Sequence, residues 1–183
     1  MRHVLYVDDE AALCKAFERA LRGSDVQVIT TTSAPHALEL LTTECFDVVA
    51  SDLRMPQVDG LMVLRAARAH DPCTRRLLVS GQGEADEGGA ALRDESVDEV
   101  VCKPWSLDEL RHVVHRAAAH ASLARRHLAL ERLLGERTRE ARDVVIRILN
   151  AHAGDLASRC ADLEWDALVI AINERVPQAF ERK

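Results

Sequence analysis

Five side chains have types and spacings that suit phosphoryl chemistry: Asp8, Asp9, Asp52, Ser80 and Lys103. Asp52 lies in F-D-V-V-A-S-D-L-R-M-P-Q-V-D-G, residues 46–60. The apolar run Val48-Val49-Ala50 leads into it, and Met55-Pro56 and Asp59-Gly60 then stop any strand and turn the chain. Asp8-Asp9 ends the run H-V-L-Y-V, Ser80 ends R-R-L-L-V-S, and Lys103 follows V-D-E-V-V-C. Taken singly each has an ordinary explanation: a solvated turn aspartate, a helix cap, a surface lysine. Taken together, each follows a short apolar run. In an open parallel sheet such strand ends are where ligands bind. Three carboxylates at one edge repel and raise one another's pKa. A divalent cation relieves that, and oxygen-only ligands suit Mg²⁺. With Lys103 to take phosphoryl oxygens and the Ser80 hydroxyl as a donor, the set suits phosphoryl transfer onto Asp52 as nucleophile.

Positioning these groups requires an alternating architecture, and the chain supplies its pattern. Strands are expected at 3–7, 26–29, 47–51, 75–80 and 97–102. Residues 10–22 place Ala11, Leu13, Cys14, Phe17, Ala20 and Leu21 on one helical face, ended by Gly23. Ser33 is the expected N-cap of a second helix, with Pro35 in its first turn. Leu61–Ala69 forms the next, stopped near Asp71-Pro72. The stretch 81–94 holds Gly81, Gly83, Gly88 and Gly89, so a short or mobile helix is expected there. Ser106 with Glu109 makes a capping box for a last helix. Five alternations in about 120 residues predict an α/β fold: a doubly wound, five-stranded parallel sheet with helices on both faces. With strand order 2-1-3-4-5 (flavodoxin-like), strands one and three are neighbours, which brings Asp8, Asp9 and Asp52 together.

The last helix does not stop where such a unit ends. Leu107, Val114, Ala121 and Leu128 recur every seven residues, as do Leu110, Ala117 and Ala124. They form an a/d seam of about three heptads, with the alternative that its first two heptads pack on the sheet. Gly135 is expected to break the helix, with further amphipathic helices at 143–153 and 162–176. The expected division is 1–120 for the α/β domain and 121–183 for an all-helical extension into which the last helix continues. Of the 183 residues, 48% are hydrophobic, enough for a core. The net charge is −9 over residues 1–110 and +3 over 111–183, against −6 overall. An acidic first part argues against nucleic acid there, and the mild basic tilt of the second part suits a solvated helix face. M-R-H-V-L-Y-V-D-D-E is no signal peptide, and no apolar run is long enough to span a bilayer. Five scattered Cys without a C-x-x-C pair fit reduced thiols in a cytoplasmic protein, and no His/Cys cluster has zinc spacing.

Asp8-Asp9-Glu10, S-D-L-R-M-P-Q-V-D-G, Ser80-Gly81 and Cys102-Lys103-Pro104-Trp105 together resemble the receiver domain of bacterial two-component response regulators, over about residues 1–120. The resemblance implies a phosphoacceptor switch and not an enzyme in its own right beyond Mg²⁺-dependent self-phosphorylation and self-dephosphorylation. It implies Asp52 as the acceptor from a sensor histidine kinase or phosphotransfer protein. Asp9 and Asp52 would then ligate Mg²⁺ directly, Asp8 through water, with the Arg54 backbone carbonyl completing the protein ligands. Ser80 would be the switch hydroxyl and Lys103 the phosphoryl partner, with a cis Lys103-Pro104 bond. Where that family usually has a switch aromatic, this chain has Val100, so output must run through backbone shifts near Gly81–Gly89 or through the long helix. Arg54 and Gln82 would flank the water entry and tune phosphoryl lifetime.

For the C-terminal part a homodimerisation or docking module is expected, with nucleic acid and membrane not expected as partners. The alternatives are a DNA-binding regulator, a phosphotransfer helix using His120, His127 or His152, or the N-terminal part of a receiver-linked phosphohydrolase or kinase. Residues 121–183 carry no hydrolase motif, and the His-Asp dipeptide at 70–71 lies in a loop before Pro72. No G-x-x-x-x-G-K-[ST] loop is present.

Overall fold

A computed structural model describes residues 2–56, 58–81 and 94–152. Five strands run β1 (Arg2–Val7), β2 (Val26–Thr31), β3 (Val48–Asp52), β4 (Arg75–Ser80) and β5 (Glu99–Cys102). Four helices are described: α1 (Ala11–Leu21), α2 (Ala34–Thr43), α3 (Gly60–His70) and α4 (Leu107–His152). All strand pairs are parallel and the order is β2-β1-β3-β4-β5.

The sheet is buried on both faces, as parallel sheets must be. Because side chains alternate along a strand, the core divides in two. Val4, Tyr6, Val48, Ala50, Leu77, Val79 and Val101 face α1 and the start of α4, meeting Phe17, Leu110 and Val114. Leu5, Val7, Val49 and Leu78 face α2 and α3, meeting Ala37, Leu41, Val63 and Leu64. Short polar devices set the helix starts. The Ser33 Oγ accepts from the His36 N–H, and the Ser106 Oγ from the Glu109 N–H. Asp59 caps α3 by accepting the Leu61 N–H at 3.0 Å.

The seven-residue seam of α4 has a different use from the one its spacing suggests. Leu110, Val114, Ala117 and Ala121 are buried, the first three in the core that faces α1. The alternative that the early heptads pack on the sheet is the one realised. Arg125 then ties this helix to the N-terminal ends of β3 and β4. Its guanidinium donates to the Phe46 carbonyl at 2.7 Å and to Asp71 at 3.0 Å, and it pairs with Asp47. Burial pushes the Asp71 carboxyl up, but the Cys73 N–H and the Arg125 charge outweigh it and leave its pKa below the ordinary value.

The chain divides into two compact units, residues 1–126 and 127–183. Helix α4 runs unbroken through Gly135 to His152, so the expected break there and the separate helix from 143 are corrected. A glycine costs about 1 kcal/mol against Ala in a helix interior, too little to end one flanked by Leu, Glu and Arg. No atom lies within 4 Å of where a Gly135 Cβ would stand, so packing does not require glycine there. Leu128, Leu130, Leu133 and Leu134 are exposed. The stretch 82–93, with Gln82, and the helix expected at 162–176 fall outside the described residues.

Gly60 has a role its turn context does not disclose. A Cβ there would stand 1.8 Å from the Asp52 carbonyl oxygen, so the turn closes only with glycine. The Gly60 N–H donates to the Leu53 carbonyl at 3.1 Å, which holds the loop after Asp52 tightly folded. Gly60→Ala is expected to lose about 3 kcal/mol or more, the upper end for overpacking because the clash is with backbone. Urea unfolding of the variant beside wild type measures it, and a loss under about 0.5 kcal/mol contradicts the packing argument.

Candidate functional site

Strand ends place the site. β3 ends at Asp52 and β4 at Ser80, and Lys103 follows β5. Asp8 follows β1, its N–H bonded to the Thr31 carbonyl of neighbouring β2 at 3.2 Å. The Lys103 N–H donates to the Ser80 carbonyl at 2.7 Å, extending the β4–β5 ladder by one residue. The Lys103–Pro104 bond is cis.

Lys103 is the centre of the arrangement. Its Nζ lies 2.8 Å from Asp8 Oδ2 and 2.5 Å from Asp52 Oδ1. Asp8 is wholly buried and Asp52 nearly so. Each remaining carboxylate oxygen takes a backbone donor: Asp8 Oδ1 from the Glu10 N–H at 2.9 Å, Asp52 Oδ2 from the Arg54 N–H at 3.1 Å. Asp8 Oδ2 also accepts the Tyr6 hydroxyl at 2.5 Å. Two buried carboxylates are tolerable only because donors surround them and a shared cation lies between.

The titration shifts follow from that geometry. Burial lowers the Lys103 pKa, but its hydrogen bonds to Asp52 and Asp8 outweigh this and hold it above the ordinary lysine value. Burial raises the Asp52 carboxyl; Lys103 pulls it back in part and Asp8 pushes it up further. Burial first, and then the bond to Asp8, raise the Tyr6 phenol far above its ordinary value, so it remains a donor. Burial likewise pushes the Cys14 thiol up to about 11; its Sγ sits 3.4 Å from the Asp8 carbonyl oxygen and is a packed, unreactive thiol.

The five residues singled out from sequence differ in burial and in partners. Asp8, Asp52 and Lys103 form one ion-paired group. Asp9 is exposed, outside that group. Among the described residues no three His, Cys, Asp or Glu side chains gather as a metal-holding set. Asp8 and Asp52 share the lysine ammonium, which offsets their mutual repulsion. Ser80 is buried at the same edge, with its hydroxyl 3.5 Å from the Gly81 carbonyl oxygen. Val100 is half-buried and packs on the core that faces α2 and α3. Of the candidate phosphotransfer histidines, His120 and His127 are exposed, and His127 lies 3.2 Å from Glu131 one turn along. Sequence reasoning gives Tyr6 no role and reads Gly60 only as a turn residue. Tyr6 was findable: it precedes Asp8 by two residues in a strand, so both side chains share a face.

The donor set is oxygen-only, with two carboxylates converging on one positive charge. That is the chemistry a hard divalent cation takes, so the residues present fit Mg²⁺.

A family model described as the response regulator receiver domain matches residues 4–115. The chain is 32% identical over 114 residues to the DNA-binding transcriptional regulator NtrC of Klebsiella pneumoniae, covering 62% of this chain and 24% of that protein. It is 35% identical over 128 residues to the alginate biosynthesis transcriptional regulatory protein AlgB of Pseudomonas aeruginosa, covering 70% and 28%. The chain thus spans about a quarter of the length of these curated relatives. A response regulator receiver domain protein from Clostridium thermocellum superposes with a TM-score of 0.62 at 25% identity, covering 68% of this chain and 99% of that one.

The ion pairs make a pH prediction. In Lys103→Met the ammonium that opposes the burial shift of Asp52 is gone, so the folded-state carboxyl pKa rises further. The folded state then holds a proton that the unfolded chain, with a pKa of about 3.9, releases. Stability of the variant should be fullest below about pH 4 and decline as pH rises through the raised value. At pH 7 a loss of about 3 kcal/mol is expected relative to wild type. Melting curves from pH 4 to 8 check it; a constant difference between the two proteins across that range contradicts the electrostatic account.

Proposed function

Since the chain belongs to the family of response regulator receiver domains, we propose that it is the phosphoacceptor of a two-component relay, taking a phosphoryl group on Asp52. The observation that carries this reading is the shared contact of Lys103 with Asp8 and Asp52 at the C-terminal sheet edge. The donor is the phosphohistidine of a sensor kinase or of a phosphotransfer protein. A carboxylate oxygen of Asp52 bonds to phosphorus as the bond from phosphorus to the imidazole nitrogen breaks. Lys103 leaves the carboxylates for a phosphoryl oxygen, and the Ser80 hydroxyl donates to another. Asp9, Asp52, the Arg54 carbonyl and, through water, Asp8 would hold Mg²⁺, which would neutralise the charge that builds on the phosphoryl oxygens. Hydrolysis returns the carboxylate, and Arg54 and Gln82 beside Gly81 set how readily water reaches it. The setting proposed is the cytoplasm; no described helix is long and apolar enough to cross a membrane.

Output is assigned to residues 121–183. The exposed leucines Leu123, Leu128, Leu130, Leu133 and Leu134 on α4 support pairing with a second copy or docking of a partner helix. Phosphorylation at Asp52 would bias that pairing. With Val100 in place of the family's aromatic, α4 is the output route favoured.

A second reading has its own support. One relative is by name a DNA-binding regulator, which weakens the expectation that nucleic acid is not a partner. A salt-dependent gel shift on generic DNA separates the readings: binding whose affinity falls steeply with salt favours the DNA reading.

Incubation with acetyl phosphate and Mg²⁺ should add one phosphoryl mass to wild type and none to Asp52→Asn. Label of equal extent on the variant would remove Asp52 from the account. In sedimentation, the full chain should shift toward dimer with beryllofluoride and Mg²⁺, and residues 1–126 should not. An unchanged distribution for the full chain would count against the dimer as output.

A further inference from the structure

The Tyr6 hydroxyl has no part in the scheme above, yet it makes one of the shortest contacts at the site, 2.5 Å to Asp8 Oδ2. The ring is wholly buried and stacks on Phe17, centroids 4.1 Å apart and planes 10° from parallel. Trp105, two residues after Lys103, sets its edge against both rings at 6.3 and 6.4 Å. Phe17 belongs to α1, and the same core holds Leu110, Val113, Val114 and Ala117 of α4. A continuous packed path therefore runs from Asp8 through Tyr6 and Phe17 to α4, and Trp105 joins it from the Lys103 side.

We propose that Tyr6 is a positioning residue of the acidic site, and that the Tyr6–Phe17–Trp105 cluster carries the state of that site to the first turns of α4. This rests on the phosphoacceptor reading and adds a residue and a route to it. Asp8 Oδ2 has two donors, Tyr6 and Lys103. A wholly buried carboxylate oxygen must keep a donor. While Tyr6 supplies one, Lys103 is able to leave for an incoming phosphoryl group without orphaning Asp8. With the Tyr6 hydroxyl removed, Asp8 retains Lys103, and the lysine competes with Mg²⁺ for the space between the carboxylates. Movement of Lys103 also pulls on Pro104-Trp105, and the Trp105 ring reads that movement against Tyr6 and Phe17. Val100 packs on the opposite core, so this route does not pass through it.

The test is Tyr6→Phe in the full chain, a change that keeps the ring and its stacking. A Trp165→Phe background leaves Trp105 the sole indole, since the chain has two Trp. Titration with Mg²⁺, read by Trp105 fluorescence, should show half-saturation at roughly tenfold higher Mg²⁺ in Tyr6→Phe. The fluorescence change on adding beryllofluoride should be smaller in the variant. Labelling of the variant by acetyl phosphate should need correspondingly more Mg²⁺ than labelling of wild type. A merely structural tyrosine would lower the melting temperature and leave the Mg²⁺ midpoint in place. Equal midpoints and equal fluorescence changes in the two proteins overturn the proposal. Failure of the Tyr6 wild-type chain to take any label overturns the phosphoacceptor reading instead, so the two failures are distinct.

Discussion

Everything at the C-terminal edge depends on one ammonium held between two buried carboxylates. Asp8 and Asp52 come from adjacent strands, and each would be expensive to bury alone. Lys103 arrives from β5, two strands beyond β3, and contacts both. The strand order sets this geometry: with β1 beside β3, one lysine can serve both acids. Backbone donors from Glu10 and Arg54 and the Tyr6 hydroxyl complete the neutralisation. The central cation of this arrangement sits at the end of a long side chain with four rotatable bonds.

Around that contact the sheet divides its labour. The face toward α2 and α3 is mostly aliphatic, with Phe46 buried in it and Val100 at its margin. The face toward α1 and α4 contains the aromatic residues Tyr6 and Phe17, with Trp105 packed at its border. The site therefore touches the α1–α4 side through rings as well as through aliphatic contacts. Helix α4 belongs to that side through Leu110, Val114 and Ala117, and Arg125 fastens it at the opposite end of the strands.

Much of this was legible in the residues alone. Apolar runs bounded by Asp, Pro and Gly give the strands, and Arg75–Ser80 has the same limits in both readings. Caps at Ser33 and Ser106 announce helix starts because their hydroxyls satisfy N–H groups that lack a partner in the first turn. Less legible were features that depend on three-dimensional competition. The α4 heptads satisfy the same spacing whether they meet a partner helix or a sheet, and the sheet wins for Leu110 through Ala121. Gly135 is a helix-breaking signal only where little else holds the helix. Asp9 has the same chemistry as Asp8, but one faces solvent while the other turns into the core. Gly60 looks like half of an ordinary Asp-Gly turn; only the approach of the Asp52 carbonyl shows why no other residue fits.

On the proposed reading, Lys103, which bridges Asp8 and Asp52, gives way to a divalent cation and moves to a phosphoryl group. A crystal structure of the chain with Mg²⁺ and beryllofluoride tests it most directly. Expected are beryllium bonded to an Asp52 oxygen, Mg²⁺ beside Asp52 within reach of Asp8 and Asp9, and Lys103 moved onto a fluoride. Beryllofluoride bound at another residue, or Lys103 still bridging Asp8 and Asp52 with both ligands present, would contradict it.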